Sequence, residues 1–166
     1  MKNLFEKGIS FRSYIFNLDD KSKHNLMKYY IPMNIKEELK EQLGNIDKKI
    51  NILGVVEPNC PDCWINLSLL EKMISFNNNI DLRLVIRKSV DKELDAYRVD
   101  GFVKVPTFIF MDENFGILDS FIEKPQILKD ADINTAEGSA MNMNYIIGKL
   151  INETAKEIMD KLLKGI

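Results

Sequence analysis

Histidine occurs once and cysteine twice in the 166 residues. That is too few for a disulfide framework, or for a zinc site built from cysteine and histidine alone. An excess of one charge is also lacking. Lysine and arginine number 23 against 25 aspartates and glutamates, for a net charge of −2. Such a chain has no bulk electrostatic pull toward nucleic acid or an anionic membrane. No apolar run approaches the ~18 residues of a membrane span. The opening Met1-Lys2-Asn3-Leu4-Phe5-Glu6-Lys7 leads into no apolar stretch of the ~7–15 residues a secretory signal needs, so a cytoplasmic location is expected. Neither a GxxxxGK[ST] loop nor an HExxH pair occurs, which leaves nucleotide hydrolysis and zinc proteolysis without support. A serine–histidine nucleophile would have to draw on His24, which lies among Lys21, Lys23 and Lys28 on a helix face expected to be solvated.

What remains is an ordinary globular composition, 45% apolar and 29% charged, at a length suited to about one domain. Residues 1–47 read as a helical N-terminal extension packed on the same domain. Ser10 caps a short helix through Leu18, and Lys21 to Tyr30 forms another. Asn34 with Glu37 resembles a capping box for a helix carrying Ile35, Leu39 and Leu43, with Gly44 at its end. From residue 48 the period changes. Ile50 to Val56 is a buried strand run, Pro61 to Phe76 a helix, Ile80 to Ile86 a second strand and Asp91 to Tyr97 a short helix. Thr107 to Met111 and Ile117 to Ile122 form a hairpin around Asp112 to Gly116. Pro125 to Ser139 reads as loop, and a long helix from Asn144 to Leu163 closes the chain with its isoleucine and leucine pairs on one face. Trp64 and Phe76 are expected in the core, and Met141 and Met143 in local packing. The order implies an α/β fold over residues 48–166, a mixed central sheet with helices on both faces.

Both cysteines fall in Glu57-Pro58-Asn59-Cys60-Pro61-Asp62-Cys63-Trp64, where the first strand ends and a helix begins. Two lone cysteines three apart in a reducing compartment call for a reason. Pro61 suits the first helical position, which makes Cys60 the N-cap. Cys63 then lies one turn on, with Cα atoms ~5–6 Å apart, inside the ~4.4–6.8 Å a disulfide needs. Both sulfurs are expected at the solvent-facing mouth of the helix. The helix terminus favours a Cys60 thiolate by roughly 0.3–1 kcal/mol, up to ~2 when partly buried. Asp62 opposes this by about 0.7 kcal/mol in hydrated surroundings. The balance suits a reductant or an even-handed exchanger. The same spacing also fits half of a zinc site completed by His24 and carboxylates, or an inert helix start.

Cys60-Pro61-Asp62-Cys63 after a strand, with Val105-Pro106-Thr107 leading into Phe108-Ile109-Phe110, resembles the thioredoxin superfamily. Glu57-Pro58, Phe11-Arg12-Ser13-Tyr14-Ile15 and Phe108-Ile109-Phe110-Met111-Asp112 are similar to bacterial thioredoxin-like proteins with a helical N-terminal extension. The resemblance implies a thiol–disulfide oxidoreductase with no bound cofactor. Cys60 would attack a substrate disulfide and Cys63 resolve the mixed disulfide. Pro106 would be cis and face the pair, and Pro61, Asp62, Trp64, Val105 and Pro106 would contact the substrate. Implied partners are a disulfide-bearing protein or small-molecule disulfide, with a reductase or low-molecular-weight thiol as electron source. The chain departs from thioredoxins at Asn59, usually Trp, at Pro61-Asp62, and at Gly54, where thioredoxins bury an Asp. The loop glycine of the substrate face is replaced near Ile122-Glu123. Glu57 is the nearest substitute as proton acceptor for Cys63. These departures also fit a non-catalytic binding or redox-sensing module on the same fold.

Overall fold

The computed structural model describes residues 1–165. Four helices come first: α1 (Lys2–Lys7), α2 (Phe11–Asn17), α3 (Asp20–Tyr30) and α4 (Glu37–Gly44). Then follow β1 (Ile50–Val56), α5 (Pro61–Ile74), β2 (Ile80–Ile86), the single turn α6 (Arg87–Val90), and a 3₁₀ segment over Asp91–Tyr97. A two-residue ribbon pairs β3 (Arg98–Val99) with β4 (Phe102–Val103), and the hairpin β5 (Thr107–Met111) and β6 (Ile117–Ile122) completes the sheet. Helices α7 (Gln126–Lys129), α8 (Ala136–Ile146) and α9 (Ile151–Leu162) end the fold. The central sheet runs β2–β1–β5–β6, with β1 parallel to β2 and antiparallel to β5. This is the mixed sheet the sequence implies. No helix among the described residues is long and apolar enough to cross a membrane.

Side-chain alternation splits the core in two. Ile50, Ile52 and Val56 of β1 join Leu82, Leu84, Phe108 and Phe110 in a cluster with α2 to α5 and α9. Leu53 and Val55 turn to the opposite face and meet Leu4, Phe5, Val90, Leu94, Ile109 and Met111. Residues 1–47 therefore bury apolar side chains against both faces of the sheet. They also cover its edge. Ile9 exchanges two main-chain hydrogen bonds with Leu84 of the outer strand β2, at 2.8 and 2.9 Å, shielding groups that an open edge would expose. The approach is close: a Cβ on Gly8 would come within 2.7 Å of the Arg83 Cβ.

Caps explain the boundaries. Ser10 accepts from the Ser13 N–H at 3.2 Å, and Asp19 from the Ser22 N–H at 3.0 Å, fixing the starts of α2 and α3. The expected Asn34 box does not form. Helix α4 starts after Lys36 with no side-chain cap, and Gly44 is its last helical residue. Helix α5 ends at Ile74, two residues early, because Asn77 is drawn inward to donate to the Leu43 and Ile46 carbonyls at 2.6 and 2.8 Å. Phe76 consequently leaves the core and is 42% exposed, with Lys40 5.4 Å from its ring centroid. The segment read as loop holds two helices, α7 and a longer α8 capped by Thr135, which accepts from the Gly138 N–H at 3.0 Å. The long closing helix is broken at Gly148, whose φ is +80°. There Gly148 and Lys149 donate back to Tyr145 and Asn144 at 3.0 and 2.8 Å, a Schellman arrangement. The break leaves Ile146 and Ile147 on the surface instead of on the apolar face of α9.

Glu71, half-buried on α5, gives the fold a measurable pH dependence. Burial pushes its carboxyl from 4.5 up to about 7. The fold therefore favours the protonated form. The associated stability is complete below pH 4.5 and is lost as the pH rises through about 7. Glu71→Gln is expected to melt above the wild-type protein at pH 8, by about 1–2 kcal/mol after allowance for partial exposure, and to match it at pH 4. Urea denaturation at the two pH values checks this.

Candidate redox site

The strand-to-helix junction places the two cysteines at different depths. Pro61 occupies the first turn of α5 and Cys60 is its N-cap, with the sulfur accepting from the Cys63 N–H at 3.1 Å. The Cys60 thiol also lies 3.4 Å from the Val105 carbonyl, to which it donates when protonated. Cys60 is half-buried, whereas Cys63 is 1% exposed and sits in the main core. This corrects the expectation that both sulfurs face solvent. Helical spacing turns the second side chain beneath the first, into the packing between α5 and the sheet. Both thiols are free.

The electrostatics follow from that geometry. The Cys63 hydrogen bond and the main-chain N–H groups of the first turn hold the Cys60 thiol below its ordinary range, against burial and the Asp62 charge. Burial, then the neighbouring Cys60, pushes the Cys63 thiol well above it. The two thiols are thus shifted in opposite directions.

Opposite the pair, the Val105–Pro106 bond is cis and Pro106 is buried. The Pro106 carbonyl accepts from the Glu123 N–H at 2.7 Å. Glu123, where thioredoxins would carry a glycine, has φ +64°, a left-handed conformation that costs a side chain about 1 kcal/mol. Asn66 of α5 fixes this loop, donating to the Glu123 carbonyl and to the Tyr145 hydroxyl, each at 2.8 Å. Burial raises the Asp62 carboxyl, even with Lys124 3.9 Å away and Tyr145 nearby to oppose it. Trp64 is partly buried, its indole N–H donating to the Pro58 carbonyl at 2.7 Å.

Gly54 stands between Leu84 and Phe108 in the sheet register. A Cβ there would meet Leu84 Cδ2 at 2.6 Å, so an aspartate would require the Leu84 side chain to shift. The Glu57 carboxylate, with Oε1 2.7 Å from both Nε and Nη2 of Arg87, is engaged by that guanidinium. Arg87 also donates to the Val103 carbonyl at 3.2 Å. The main chain at Glu57 lowers the Cys63 thiol slightly, against the larger effect of burial. The N-terminal extension reaches the site as well. The buried Ser22 hydroxyl lies 2.7 Å from Asp19 Oδ2 and 2.9 Å from the side-chain oxygen of Asn59.

Cys60, Pro61, Asp62, Cys63, Trp64, Val105 and Pro106 thus converge at one end of the sheet. His24 is exposed on α3. No group of three or more metal-ligating side chains occurs among the described residues. Sequence reasoning missed Asn66, Arg87, Tyr145 and Ser22. A polar residue inside an apolar helix stripe, as at Asn66, is the one available signal, since a buried amide needs partners.

Alkylation by iodoacetamide is expected at Cys60 alone in the folded protein, with a pH midpoint below that of free cysteine. Asp62→Asn removes an opposing charge and is expected to speed the reaction roughly threefold near pH 6. Mass spectrometry of the modified cysteines checks both outcomes.

Two solved structures share the fold over nearly all of the chain. A crystal structure of a Pseudomonas aeruginosa protein of unknown function has a TM-score of 0.86 at 21% identity, covering 98% of this chain and 96% of that one. A crystal structure of an HIV epitope scaffold has a TM-score of 0.85 at 21% identity, covering 99% and 98%. No curated protein matches at a significant level. The thioredoxin family's sequence profile matches residues 8–137, a span that takes in the cysteine pair, the cis-proline loop and most of the helical extension. The chain belongs to the thioredoxin family.

Proposed function

We propose that the chain is a cytoplasmic thiol–disulfide oxidoreductase that works through the Cys60/Cys63 couple without a bound cofactor. The observation that carries this reading is the half-exposed Cys60 sulfur at the N-terminus of α5, its thiol held below the ordinary range by the Cys63 hydrogen bond and first-turn N–H groups, with a free buried thiol one turn behind it. The Cys60 thiolate attacks one sulfur of a substrate disulfide and expels the other as a thiolate. Cys63, losing its proton, then attacks Cys60 and expels the second substrate sulfur. Two electrons and two protons pass to the substrate, and the Cys60–Cys63 disulfide remains. A low-molecular-weight thiol or a reductase returns the two electrons.

Pro61, Asp62, Trp64, Val105 and Pro106 rim the sulfur and form the substrate contact in this reading. An extended substrate segment beside Val105 would displace the Cys60 thiol from the Val105 carbonyl. The Glu57 carboxylate would have to leave Arg87 to take the Cys63 proton. A second reading, a redox-sensing or binding module, draws on the side chain at Glu123, which alters the loop facing a partner. Turnover separates the two, because a sensor oxidises once per event.

Titration of the purified protein against dithiothreitol buffers is expected to show a reversible two-electron transition. Insulin reduction is expected to vanish in Cys60→Ser, and Cys63→Ser to accumulate mixed disulfides. An irreversible transition, or insulin reduction unchanged in Cys60→Ser, removes the enzyme reading.

A further inference from the structure

The ends of β1 and β2 set two charges side by side. These strands run parallel, with Val56 paired to Ile86, so the residues that follow, Glu57 and Arg87, leave the sheet as neighbours. The Arg87 guanidinium spans more than this pair. Its Nε and Nη2 each lie 2.7 Å from Glu57 Oε1, and its Nη1 donates to the Val103 carbonyl at 3.2 Å. One side chain therefore joins the turn that leads to Cys60 with the strand end that leads to the cis Val105–Pro106 bond. The two charged side chains are about two-thirds shielded from water, at 34% and 31% exposure. Charge-assisted hydrogen bonds hold better in that setting than on an open surface.

The loop from Val103 to Pro106 is pinned one carbonyl at a time. Val103 accepts from Arg87, Lys104 from the Thr107 hydroxyl at 2.7 Å, and Pro106 from the Glu123 N–H at 2.7 Å. The Val105 carbonyl faces the Cys60 sulfur at 3.4 Å. That contact is lost when Cys60 gives up its proton, since a thiolate cannot donate. The spacing between loop and sulfur then depends on the other anchors. Thr107 belongs to β5, the strand the loop leads into, and Glu123 follows β6. Arg87 is the anchor that reaches the turn before the cysteines.

We propose that Arg87 is a positioning residue for disulfide exchange, its guanidinium tying the Val103–Pro106 loop to the Glu57 turn so that an extended substrate segment on the loop meets the Cys60 sulfur in line. The inference rests on the dithiol-exchange reading above. It gives the Glu57 carboxylate the part of an anchor, which orients Arg87 and stays ionised. Arginine suits the task because its planar fork donates in two directions at once. A lysine ammonium carries the same charge but lacks the fork. Small displacements matter here, since misplacing a reacting group by roughly 1 Å can cost on the order of a hundredfold in rate.

The test sets a peptide substrate against a small reagent. Reduction of a synthetic peptide disulfide, with dithiothreitol as electron source and the uncatalysed rate subtracted, needs the loop. Alkylation of Cys60 by iodoacetamide, which is small and neutral, does not. Arg87→Met keeps the apolar stem and removes the donors. It is expected to raise KM for the peptide about tenfold, with kcat within about threefold and the alkylation rate within about twofold of wild type. An unchanged KM overturns the proposal. So does an equal loss in the peptide and alkylation reactions, the mark of a general disturbance of the fold. Should Arg87→Met fail to fold, Arg87→Lys decides the matter, because it keeps the charge without the fork. A raised KM with unchanged alkylation supports the proposal, and a wild-type KM refutes it. If the wild-type protein leaves the peptide disulfide intact, the oxidoreductase reading itself has failed and this inference falls with it.

Discussion

One turn of helix separates a sulfur that water reaches from a sulfur that it does not, and the chemistry of the site depends on that difference. The cap is what creates it. Pro61 starts α5 without a main-chain donor of its own, so the Cys63 N–H is left to bond the Cys60 sulfur at 3.1 Å. This fixes Cys60 at the rim. The helical step carries Cys63 inward, among side chains of α5 and the sheet. Desolvation then acts on the two thiols unequally. The outer one gains from the helix terminus and from its partner's proton, and the inner one stays neutral. A pair at equal depth would lack this difference.

The N-terminal extension is a working part of this arrangement. Gly8 and Ile9 seal the β2 edge, and Phe11, Tyr14 and Leu18 complete the cluster around the buried cysteine. Helix α3 packs along α5, where the Leu26 carbonyl accepts from Ser68 at 3.3 Å, and Ser22 reaches the side chain before Cys60. Taking residues 1–47 away would open the main core and expose the face of α5 behind the active helix. The boundary near residue 47 is a change of sequence period, and the hydrophobic cluster runs across it.

Elements with strong period or clear caps were legible in the sequence: β1, β2, the β5–β6 hairpin, α2, and the start of α5 with Cys60 as its cap. Each is fixed by local chemistry. What sequence misread depended on distant partners. Phe76 leaves the core because Asn77 is claimed by carbonyls more than thirty residues away. The closing helix reads as continuous because isoleucine pairs flank Gly148, and only its positive φ and the returning hydrogen bonds show the break. The depth of Cys63 was also misjudged, since spacing gives the side on which a residue lies and not what covers that side. Tyr145 and Arg87 were invisible as site residues for the same reason, being brought there by tertiary packing.

Gly54 ties these observations together. Leu84 and Phe108 flank this position on the neighbouring strands, and a side chain here would displace that of Leu84. Removing a carboxylate from that position spares the core a buried charge, which would be costly without a partner. It also leaves the inner sulfur short of polar company. The polar groups around the site arrive from outside the strand: Asn66 and Tyr145, bonded to each other at 2.8 Å, and Ser22 of the extension, 2.9 Å from the Asn59 side chain. The N-terminal helical layer packed behind α5 thus belongs both to the core and to the surroundings of the cysteine pair.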